Sequence, residues 1–499
     1  MENVLLINPS QTYYGRTYRQ SACGSIGLPL GLLYVAAAFE KKGCSVRVID
    51  CLVSEHSVRI KGRDSVRFGI PAEKLGALIE ETKPDIVGIG SQYTAQEEGA
   101  LEVARVAKSV APTALVIVGG ANAACRAANL LREGTVDVAV KSEGERTAED
   151  LVVFLRGQKE LARIPGIAYR RNGSVFETEP GGFIEDLDGL PLPAYHLIDM
   201  EAYLTLYEKG VYTRDRDVVR NASMITSRGC PYGCVFCSIS LSMGKSWRAH
   251  SAAYVIRHIR ELSKKYGVRH IHFEDDNLLF DPARFDPVID VLAEENISWD
   301  TPNGIRVDLS LDERFLARAR RSGCKSLTIG VESGDERVLK QIIRKGTNLA
   351  RVEEFAGRCR TVGLPLRAFF VLGFPGETLE TMKRTMDFAL RLQEAYRVEI
   401  LNFIATPLFG TDLYDICERN RYLSRPVTPQ TLSESTVSDG IGLISTEAFS
   451  SRDVERLSRW LTAKVYRRYL RRGIAHPWKS LRRIGNVYTF KRTLARILH

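Results

Sequence analysis

Short apolar runs that alternate with amphipathic stretches constrain the fold of this 499-residue chain more than any other feature of its sequence. Within residues 1–155, amphipathic segments such as Leu32–Lys42 and Glu97–Val110 have the apolar spacing of helices. The apolar runs between them have the length of buried strands: Val4–Ile7, Ser45–Asp50, Asp85–Gly90, Leu115–Val118 and Val136–Val140. Strands and helices that alternate in this way predict an α/β fold with a Rossmann-like, doubly wound parallel sheet.

The carboxyl ends of the predicted strands are where such a sheet binds its ligands. Ser91 and Thr94 follow one predicted strand, and Gly119 and Gly120 follow the next strand along the chain. We therefore expect ligand contacts of the N-terminal domain at these positions.

The alternation resumes at Ser223, and helical stretches follow most of the new strand candidates. These candidates are Met224–Thr226, His270–Phe273, Trp299–Ile305, Ser326–Val331, Leu366–Leu372 and Glu399–Ile404. Six such units are enough for an open (β/α)6 barrel of the TIM type, whereas eight would close one. We therefore expect a partial barrel whose chemistry lies at the C-terminal ends of its strands.

The length of the chain and its changes of pattern divide it into four parts. The parts are a Rossmann-like domain (1–155), a linker (156–220), the barrel (221–420) and a helical, basic C-terminal extension (421–499). The linker contains a predicted small hairpin, Ile164–Ala168 and Val175–Glu177, and a loop rich in turn residues.

Three cysteines, Cys230, Cys234 and Cys237, lie within eight residues of one another, while the other seven are scattered singly. The N-terminus has neither a basic region nor a small-residue cleavage site, so we expect no secretory signal and a cytoplasmic location. In that reducing compartment, clustered cysteines indicate metal or redox chemistry. A structural zinc site usually needs four protein ligands, and no fourth ligand follows locally. A four-iron cluster on three cysteines would leave one iron open, whereas a zinc site or unrelated thiols are the alternatives.

The segment Ser227–Cys237 has the pattern C-x3-C-x2-C with Phe236 before the last cysteine, and it resembles the radical S-adenosylmethionine (SAM) enzymes. The resemblance implies a 4Fe-4S cluster on the three cysteines, whose open iron chelates SAM. It also implies an external electron donor, such as flavodoxin or ferredoxin, and cleavage of SAM to a 5′-deoxyadenosyl radical. The residues it implies at the SAM site are Phe236, Asp275, Asp276, Asn303, Arg306, Glu332 and Ser333.

The first domain resembles that of the cobalamin-binding subgroup of these enzymes in the segments Gly27–Tyr34 and Glu143–Glu145. The cobalamin contacts that this resemblance implies are Ser91, Thr94, Gly119 and Gly120. The chain departs from cobalamin-ligating domains because it lacks the motif Asp-x-His-x-x-Gly, and Ala121-Asn122 stands where many relatives have Pro-His. Two interpretations stay open: cobalamin held without a protein histidine, or a domain that only buttresses the barrel.

The resemblance implies a cobalamin-dependent methyltransferase that methylates an unactivated carbon through a 5′-deoxyadenosyl radical. The alternative is a radical SAM dehydratase, cyclase, epimerase or oxidoreductase that transfers no methyl group and binds no cobalamin. A methylthiotransferase acting on nucleic acid is disfavoured, because Cys23, Cys44, Cys51 and Cys125 do not form the extra cluster set of such enzymes. A non-catalytic iron–sulfur or zinc protein is a third interpretation.

The net charge of +10 belongs to the C-terminal extension. Residues 451–499 carry fourteen Lys or Arg against two Asp or Glu, and pairs such as Arg467-Arg468 alternate with aromatic and aliphatic residues. This pattern suits an anionic membrane surface, a phosphorylated or lipid-like substrate, or a solvated helix packed on the barrel. We therefore expect a small-molecule or lipid-like substrate with peripheral membrane contact, and nucleic acid is not favoured.

The sequence contains no uncharged apolar run of about 18 residues, so we expect no transmembrane helix.

Overall fold

The N-terminal part of the chain contains the first of two large sheets. The computed structural model describes residues 1–15, 26–208, 220–307, 311–437 and 440–475, with side chains described up to residue 469. The strands of the N-terminal part are β1 (Asn3–Asn8), β2 (Gln11–Tyr14), β3 (Ser45–Asp50), β4 (Val58–Lys61), β5 (Ser65–Gly69), β6 (Ile86–Gly90), β7 (Leu115–Gly119), β8 (Val138–Val140), β9 (Ile167–Arg171) and β10 (Ser174–Glu177). The helices are α1 (Leu30–Lys41), α2 (Ala72–Thr82), α3 (Glu97–Val110), α4 (Ala121–Arg132), α5 (Gly144–Leu155) and α6 (Met200–Glu208).

The predicted doubly wound sheet is confirmed. Its strand order is β10-β9-β8-β7-β6-β1-β3, and β3, β1, β6, β7 and β8 are parallel. This order is flavodoxin-like, with the topological switch point between β1 and β6. The carboxyl ends of β6 and β7, which carry Ser91 and Gly120, therefore lie on one side of that point.

The hairpin that the sequence pattern assigns to the linker belongs to this sheet. β9 pairs antiparallel with β8, and β10 extends the same edge. The side chains of Ile167 and Ala168 are fully buried, so the hairpin docks because it removes apolar surface from water. A separate antiparallel sheet, β2-β5-β4, was not predicted, since β4 is a four-residue strand that is exposed along its whole length and has no buried face.

The C-terminal part contains the second large sheet and the helices around it. Its strands are β11 (Asn221–Met224), β12 (Ser227–Arg228), β13 (Arg248–Ala249), β14 (His270–Phe273), β15 (Ser298–Asp300), β16 (Cys324–Glu332), β17 (Leu366–Leu372) and β18 (Glu399–Ile404). Its helices are α7 (Ile239–Ser242), α8 (Ala252–Tyr266), α9 (Pro282–Glu294), α10 (Glu313–Arg321), α11 (Leu349–Thr361), α12 (Leu379–Tyr396), α13 (Asp412–Arg419), α14 (Pro429–Ser435) and α15 (Ser451–Ala475).

The predicted partial barrel is also confirmed. Its six parallel strands follow the order β11-β14-β15-β16-β17-β18, with β11 and β18 as the edge strands. Successive strands lie side by side with helices between them, which is the (β/α) pattern of an open barrel. The short strands β12 and β13 pair with each other outside this sheet.

Strand β15 is shorter than the predicted Trp299–Ile305. It ends at Asp300 because Pro302 has no N–H to donate, and Gly304, with φ of +101°, turns the chain. Ile305 then rejoins the barrel through an isolated bridge to Ile329. The turn carries Asn303 and Arg306 to the barrel mouth.

The C-terminal helix α15 contains the predicted basic helix Val454–Leu470 and packs on the barrel. The side-chain amide of Asn402 on β18 donates to the hydroxyl of Ser458 on α15 at 2.7 Å. The basic residues after position 475 lie outside the described residues. No helix in the described ranges is long and apolar enough to cross a bilayer.

Candidate active site

The cysteine loop leaves the barrel at β12 and is held by backbone contacts. The amide of Cys230 donates to the carbonyl of Gly244 at 3.2 Å. Gly229 has a φ of +83°, and a Cβ at this position would collide with the carbonyl oxygen of Ser246. Glycine is therefore required immediately before the first cysteine.

The thiols of Cys230, Cys234 and Cys237 are partly buried, and all three are free of disulfides. Burial raises the pKa of Cys237 to about 11, with a contribution from the two neighbouring thiolates. Burial also raises the pKa of Cys230 and of Cys234. The three sulfurs thus lie close enough to repel one another as thiolates, and a bound cation would relieve that repulsion.

This donor set fits an iron–sulfur cluster better than a single metal ion. Among the described residues, the potential ligands whose donor atoms all lie within 4.8 Å of one another are His270, His272 and Asp300, not the three cysteines. Sulfur ligands about 2.3 Å from one zinc ion would lie about 3.8 Å apart. Wider-spaced thiolates suit a cluster, which spreads its ligands over several irons.

A buried ion pair and an arginine lie beside the thiols. Lys345 Nζ lies 2.6 Å from Glu332 Oε1, and Glu332 occupies a bulge of β16 with a φ of +68°. Arg306 donates from Nη2 to the carbonyl of Lys345 at 2.9 Å and stacks 3.5 Å from the ring centroid of Tyr232. The cations Lys345 and Arg306 lower the pKa of the Cys234 thiol against the larger effect of burial. Positive charge is therefore available next to the loop.

Two adjacent carboxylates follow β14 and have different surroundings. Asp275 is buried and accepts hydrogen bonds from the backbone and hydroxyl of Thr226 (3.1 and 2.8 Å) and from the hydroxyl of Ser227 (2.6 Å). It therefore fixes the segment that leads into the cysteine loop. Asp276 is half-buried, and burial with the charge of Asp275 raises its pKa to about 7. The charge of Asp276 in turn acts on the Cys230 thiol, so this carboxylate lies at the loop.

The remaining residues predicted for SAM lie in three different settings. Phe236 packs against Phe374 with ring centroids 5.6 Å apart. Asn303 is exposed, and its amide donates to the first backbone carbonyl after β14 at 2.7 Å. Ser333 is instead fully buried, and its hydroxyl bonds to that of Thr385 on α12 at 2.9 Å. The SAM contacts of all seven residues stay predictions.

The four residues predicted for cobalamin meet at the carboxyl edge of the N-terminal sheet. Gly120 has a φ of +115°, and a Cβ there would lie 2.6 Å from the carbonyl oxygen of Ser91. The amide of Ser91 donates to the carbonyl of Gly119 at 2.7 Å. Asn122 joins the two hydroxyls, because it donates to Ser91 Oγ (2.9 Å) and accepts from Thr94 Oγ1 (2.7 Å). The departure Ala121-Asn122 thus supplies the residue that organises this edge.

The same network continues from Asn122 to the barrel. The amide of Asn122 also donates to Glu97 at 3.1 Å, and Arg126 pairs with Glu97 at 2.6 Å. The guanidinium of Arg126 lies 4.3 Å from the ring centroid of Phe409, which follows β18. Polar contacts therefore connect the predicted cobalamin edge to the mouth of the barrel.

A buried cluster of four charges joins the two domains just before the cysteines. Arg228, two residues before Cys230, pairs with Glu143 at 3.0 Å and with Glu145 at 2.6 Å. Arg248 pairs with Glu143 at 2.9 Å. Each of these four side chains is at most 7% exposed, so the junction excludes water. The cluster fixes the end of β8 against the start of the cysteine loop.

Two protein-family models match the chain: the Radical SAM superfamily over residues 224–389 and the B12 binding domain over residues 21–152. An uncharacterized methyltransferase of Pyrococcus horikoshii is 30% identical over 427 residues, 85% of this chain and 84% of the relative. The chain belongs to the radical SAM superfamily. The cytidylyl-2-hydroxyethylphosphonate methyltransferase of Streptomyces wedmorensis is 29% identical to this radical SAM enzyme over 453 residues, 85% of this chain and 83% of the relative.

This radical SAM enzyme shares its fold with the solved cobalamin-dependent radical enzyme OxsB, a structure with aqua-cobalamin and SAM bound. The TM-score is 0.70 at 17% identity, over 99% of this chain and 70% of OxsB. The predictions of an enzyme of the cobalamin-binding radical SAM methyltransferase type are confirmed, as is the family's cofactor set of 4Fe-4S cluster, SAM and cobalamin. Enzymes of this superfamily act on small molecules and need a reductant.

Sequence reasoning missed several residues that line or brace the site of this radical SAM enzyme. They are Tyr232, Lys345, Arg228, Arg248 and Glu97. Tyr232 and Arg228 adjoin the cysteines in sequence, and that position was a usable signal. No sequence pattern predicts the ion pair between Lys345 and Glu332, since it depends on the path of the chain after β16.

Proposed function

We propose that this radical SAM enzyme is a cobalamin-dependent methyltransferase that methylates an unactivated carbon of a small-molecule substrate. The observation that carries this proposal is the junction between the two predicted cofactor sites. Arg228 and Arg248 of the barrel, with Glu143 and Glu145 of the N-terminal domain, fix the cysteine loop against the ligand edge of the first sheet. A fixed spacing of two reactive cofactors around one substrate is what a two-cofactor transfer requires.

In this proposal, Cys230, Cys234 and Cys237 would hold the cluster. Arg306 and Lys345 supply positive charge beside these thiols, which suits the carboxylate of SAM. The charges there are held in place, because the backbone of Lys345 accepts from Arg306 and its side chain pairs with Glu332.

The other end of SAM would meet aromatic and polar groups of the same mouth. Phe236 and Phe374 present paired rings that suit the adenine. Asp276 and Asn303 supply oxygen acceptors that suit the amino group. Asp275 and Ser333 would position neighbouring residues and would not contact SAM directly, because both side chains form hydrogen bonds with other protein groups.

Cobalamin would lie at the edge formed by Ser91, Thr94, Gly119 and Gly120. The two glycines leave this edge without side chains, and the two hydroxyls are oriented by Asn122. The histidine of residues 1–155, His56, lies in the loop after β3 and contacts Glu55 at 3.4 Å. Because the chain lacks the motif Asp-x-His-x-x-Gly, it would hold cobalamin through hydroxyl, amide and backbone contacts, without a histidine on cobalt.

When bound, the cluster with SAM supplies a 5′-deoxyadenosyl radical, and cobalamin supplies the methyl group. The chain itself binds and orients these groups and keeps water from the junction. The buried charges around Arg228 close one side of the junction, and Arg126 with Phe409 bridges the domains at the edge near Asn122. A closed junction protects reactive intermediates from side reactions.

We also propose that a one-electron donor such as flavodoxin or ferredoxin reduces the cluster in the cytoplasm, where free thiols persist. Peripheral membrane contact through the basic tail is a further part of this proposal. Within the described tail, Arg468 is used for packing, because it pairs with Glu394 at 3.0 Å. Membrane contact would therefore rest on the later basic residues. Deleting residues 476–499 should then reduce binding to anionic liposomes at low salt.

Anaerobic reconstitution with iron, sulfide and hydroxocobalamin tests the cofactor part of the proposal. We expect about four irons per chain, a retained corrinoid spectrum after gel filtration, and reductive cleavage of SAM to 5′-deoxyadenosine. Cys234→Ala should lose the cluster and SAM cleavage, whereas the matched variant Cys44→Ala should keep both.

The outcomes of this reconstitution separate the candidate functions. A cluster that cleaves SAM in a chain that retains no corrinoid would refute the methyltransferase. It would favour a dehydratase, cyclase, epimerase or oxidoreductase. A chain that binds iron without ever cleaving SAM would leave only a non-catalytic iron–sulfur protein.

A further inference from the structure

Three potential metal ligands meet inside the barrel, apart from the cysteine loop. His270 and His272 lie on β14, and Asp300 ends β15. Successive residues of a strand point to opposite faces, and Phe273 of β14 packs against Phe285 of α9 with ring centroids 5.1 Å apart. The two histidines therefore point away from the helices and into the barrel. Asp300 joins them there, since it is in register with His272.

The donor atoms of this group have the spacing of a metal site. Nδ1 of His272 lies 2.7 Å, and Nε2 of His270 lies 3.6 Å, from the same oxygen Oδ1 of Asp300. Two ligands about 2.1 Å from a tetrahedral zinc ion lie about 3.4 Å apart. The observed distances bracket this value, so small side-chain movements would complete the coordination. His270 and Asp300 are each 1% exposed, which keeps competing water away.

The hydrogen bond at the other nitrogen of His270 allows Nε2 to be the acceptor atom. Ser298 Oγ lies 3.3 Å from the carbonyl of Arg269 and 2.8 Å from Nδ1 of His270, so a hydroxyl that donates to the carbonyl accepts from Nδ1–H. The lone pair of Nε2 in a neutral His270 then faces a carboxylate oxygen. This arrangement is stable only with a positive charge between them, either a metal ion or an extra proton. Ligating histidines are typically oriented by such a bond at the second nitrogen.

The surroundings of Asp300 favour a metal ion over a proton. Oδ2 of Asp300 has no hydrogen bond within the described part of the chain. Arg367, 3.9 Å from this oxygen, is paired with Glu399 at 3.0 Å. The buried hydroxyl of Ser326, in register with Asp300, also lacks a hydrogen-bond partner among the described residues. A proton on a histidine would leave these oxygens unsatisfied, whereas a metal ion accepts further oxygen ligands.

We propose that His270, His272 and Asp300 bind one divalent transition-metal ion, with zinc as the fitting member of the class, independently of the cysteine-bound cluster. Two imidazoles and one carboxylate suit such ions better than calcium or magnesium, which take oxygen ligands. The ligands connect β14 to β15 and lie on the strand face that ends at Glu274. The ion therefore braces the barrel beneath its mouth and takes no part in the radical chemistry.

The metal content of a full-length, tag-free chain without the cluster cysteines tests this proposal. In the triple variant Cys230→Ala, Cys234→Ala, Cys237→Ala, we expect about one zinc ion per chain after incubation with zinc and gel filtration, measured by mass spectrometry. Cobalt in place of zinc should give visible absorption without a thiolate charge-transfer band, because its ligands are nitrogen and oxygen.

A further substitution in the same background identifies the ligands. His272→Gln should remove the zinc, whereas the matched change at another buried histidine, His258→Gln, should retain it. Zinc that persists in His272→Gln, or a thiolate band in the cobalt spectrum, would overturn the proposal. If His272→Gln does not fold, the zinc content and cobalt spectrum of the chain without the cluster cysteines decide alone. If the chain without the cluster cysteines stays free of zinc, the three residues share a proton instead.

Discussion

The Glu332–Lys345 ion pair beside the cysteines occupies space that is free only because Gly330 has no side chain. A Cβ at Gly330 would lie 2.5 Å from both Glu332 Oε1 and Lys345 Nζ, so Gly330→Ala pushes the pair apart. We expect the free energy of unfolding to fall by about 1–3 kcal/mol, measured by denaturant titration. The control Gly76→Ala, whose Cβ would meet Val110 at 3.4 Å, should change it by less than about 1 kcal/mol. Equal effects of the two substitutions would contradict this account.

Glu377 is a buried carboxyl that should make stability depend on pH. Its Oε2 accepts from the amides of Gly373 and Phe374, both at 2.8 Å, but burial dominates and raises its pKa from 4.5 to about 7. The unfolded chain releases this proton near pH 4.5 and the folded chain near pH 7, so stability falls as pH rises between them.

Glu377→Gln should remove this fall. We expect the unfolding free energy of the variant, relative to the wild type, to improve by about 2.5 kcal/mol between about pH 5 and about pH 8. Chemical denaturation at the two pH values measures the change. A difference between variant and wild type that does not vary with pH would show that Glu377 is not protonated in the folded chain.

At the scale of elements, the local sequence pattern was sufficient to predict a strand where that strand has its own run of apolar residues. β14, β17 and β18 span the predicted residues, because their apolar runs begin and end with the pairing. β15 was predicted too long, since the predicted strand was extended to the apolar Ile305 although Pro302 and Gly304 stop the pairing after Asp300. β4 was missed because it has no buried face.

The candidate site likewise combines residues that are close together in sequence with residues that are far apart. The cysteines could be predicted because their spacing lies within one loop. The partners of Arg228 could not, because Glu143 and Glu145 are 85 and 83 residues away in sequence. Their pairing exists only after two separately folded sheets have docked. Motif reasoning therefore identified the cysteine loop and the strand ends as candidate sites but not the charges that join them.

Arg228 should stabilise the docking of these two sheets. Arg228→Met leaves Glu145 buried without its partner, which should cost about 3–5 kcal/mol and speed proteolysis of residues 156–220. Limited proteolysis and thermal unfolding measure the two effects. Arg105→Met is the matched control, because Arg105 pairs with Glu98 and Glu133 but is 43% exposed, and it should cost less than about 1 kcal/mol. If both variants are equally stable, the junction is not held by this cluster.

At the scale of the whole molecule, the two domains meet at a second place besides the buried charges. α4, which begins after Gly120, contacts α7, which follows the cysteine loop. The guanidinium of Arg126 on α4 reaches Phe409 at the end of the barrel sheet. Two separate contacts resist relative rotation of the domains better than one. These contacts thus hold the carboxyl edge of the first sheet and the mouth of the barrel in a fixed relation.

Arg126 should therefore control the N-terminal ligand edge without affecting the cysteine loop. Arg126→Ala frees Glu97 from its 2.6 Å ion pair, and Glu97 then competes for the amide of Asn122 that orients Ser91. We expect corrinoid affinity to fall about tenfold, or about 1.4 kcal/mol, with unchanged iron content, measured by absorbance after gel filtration of the reconstituted enzyme. Arg132→Ala, an exposed change on the same helix, should alter neither quantity. Iron and corrinoid lost together from Arg126→Ala would mean general unfolding, and unchanged corrinoid would separate this network from cobalamin binding.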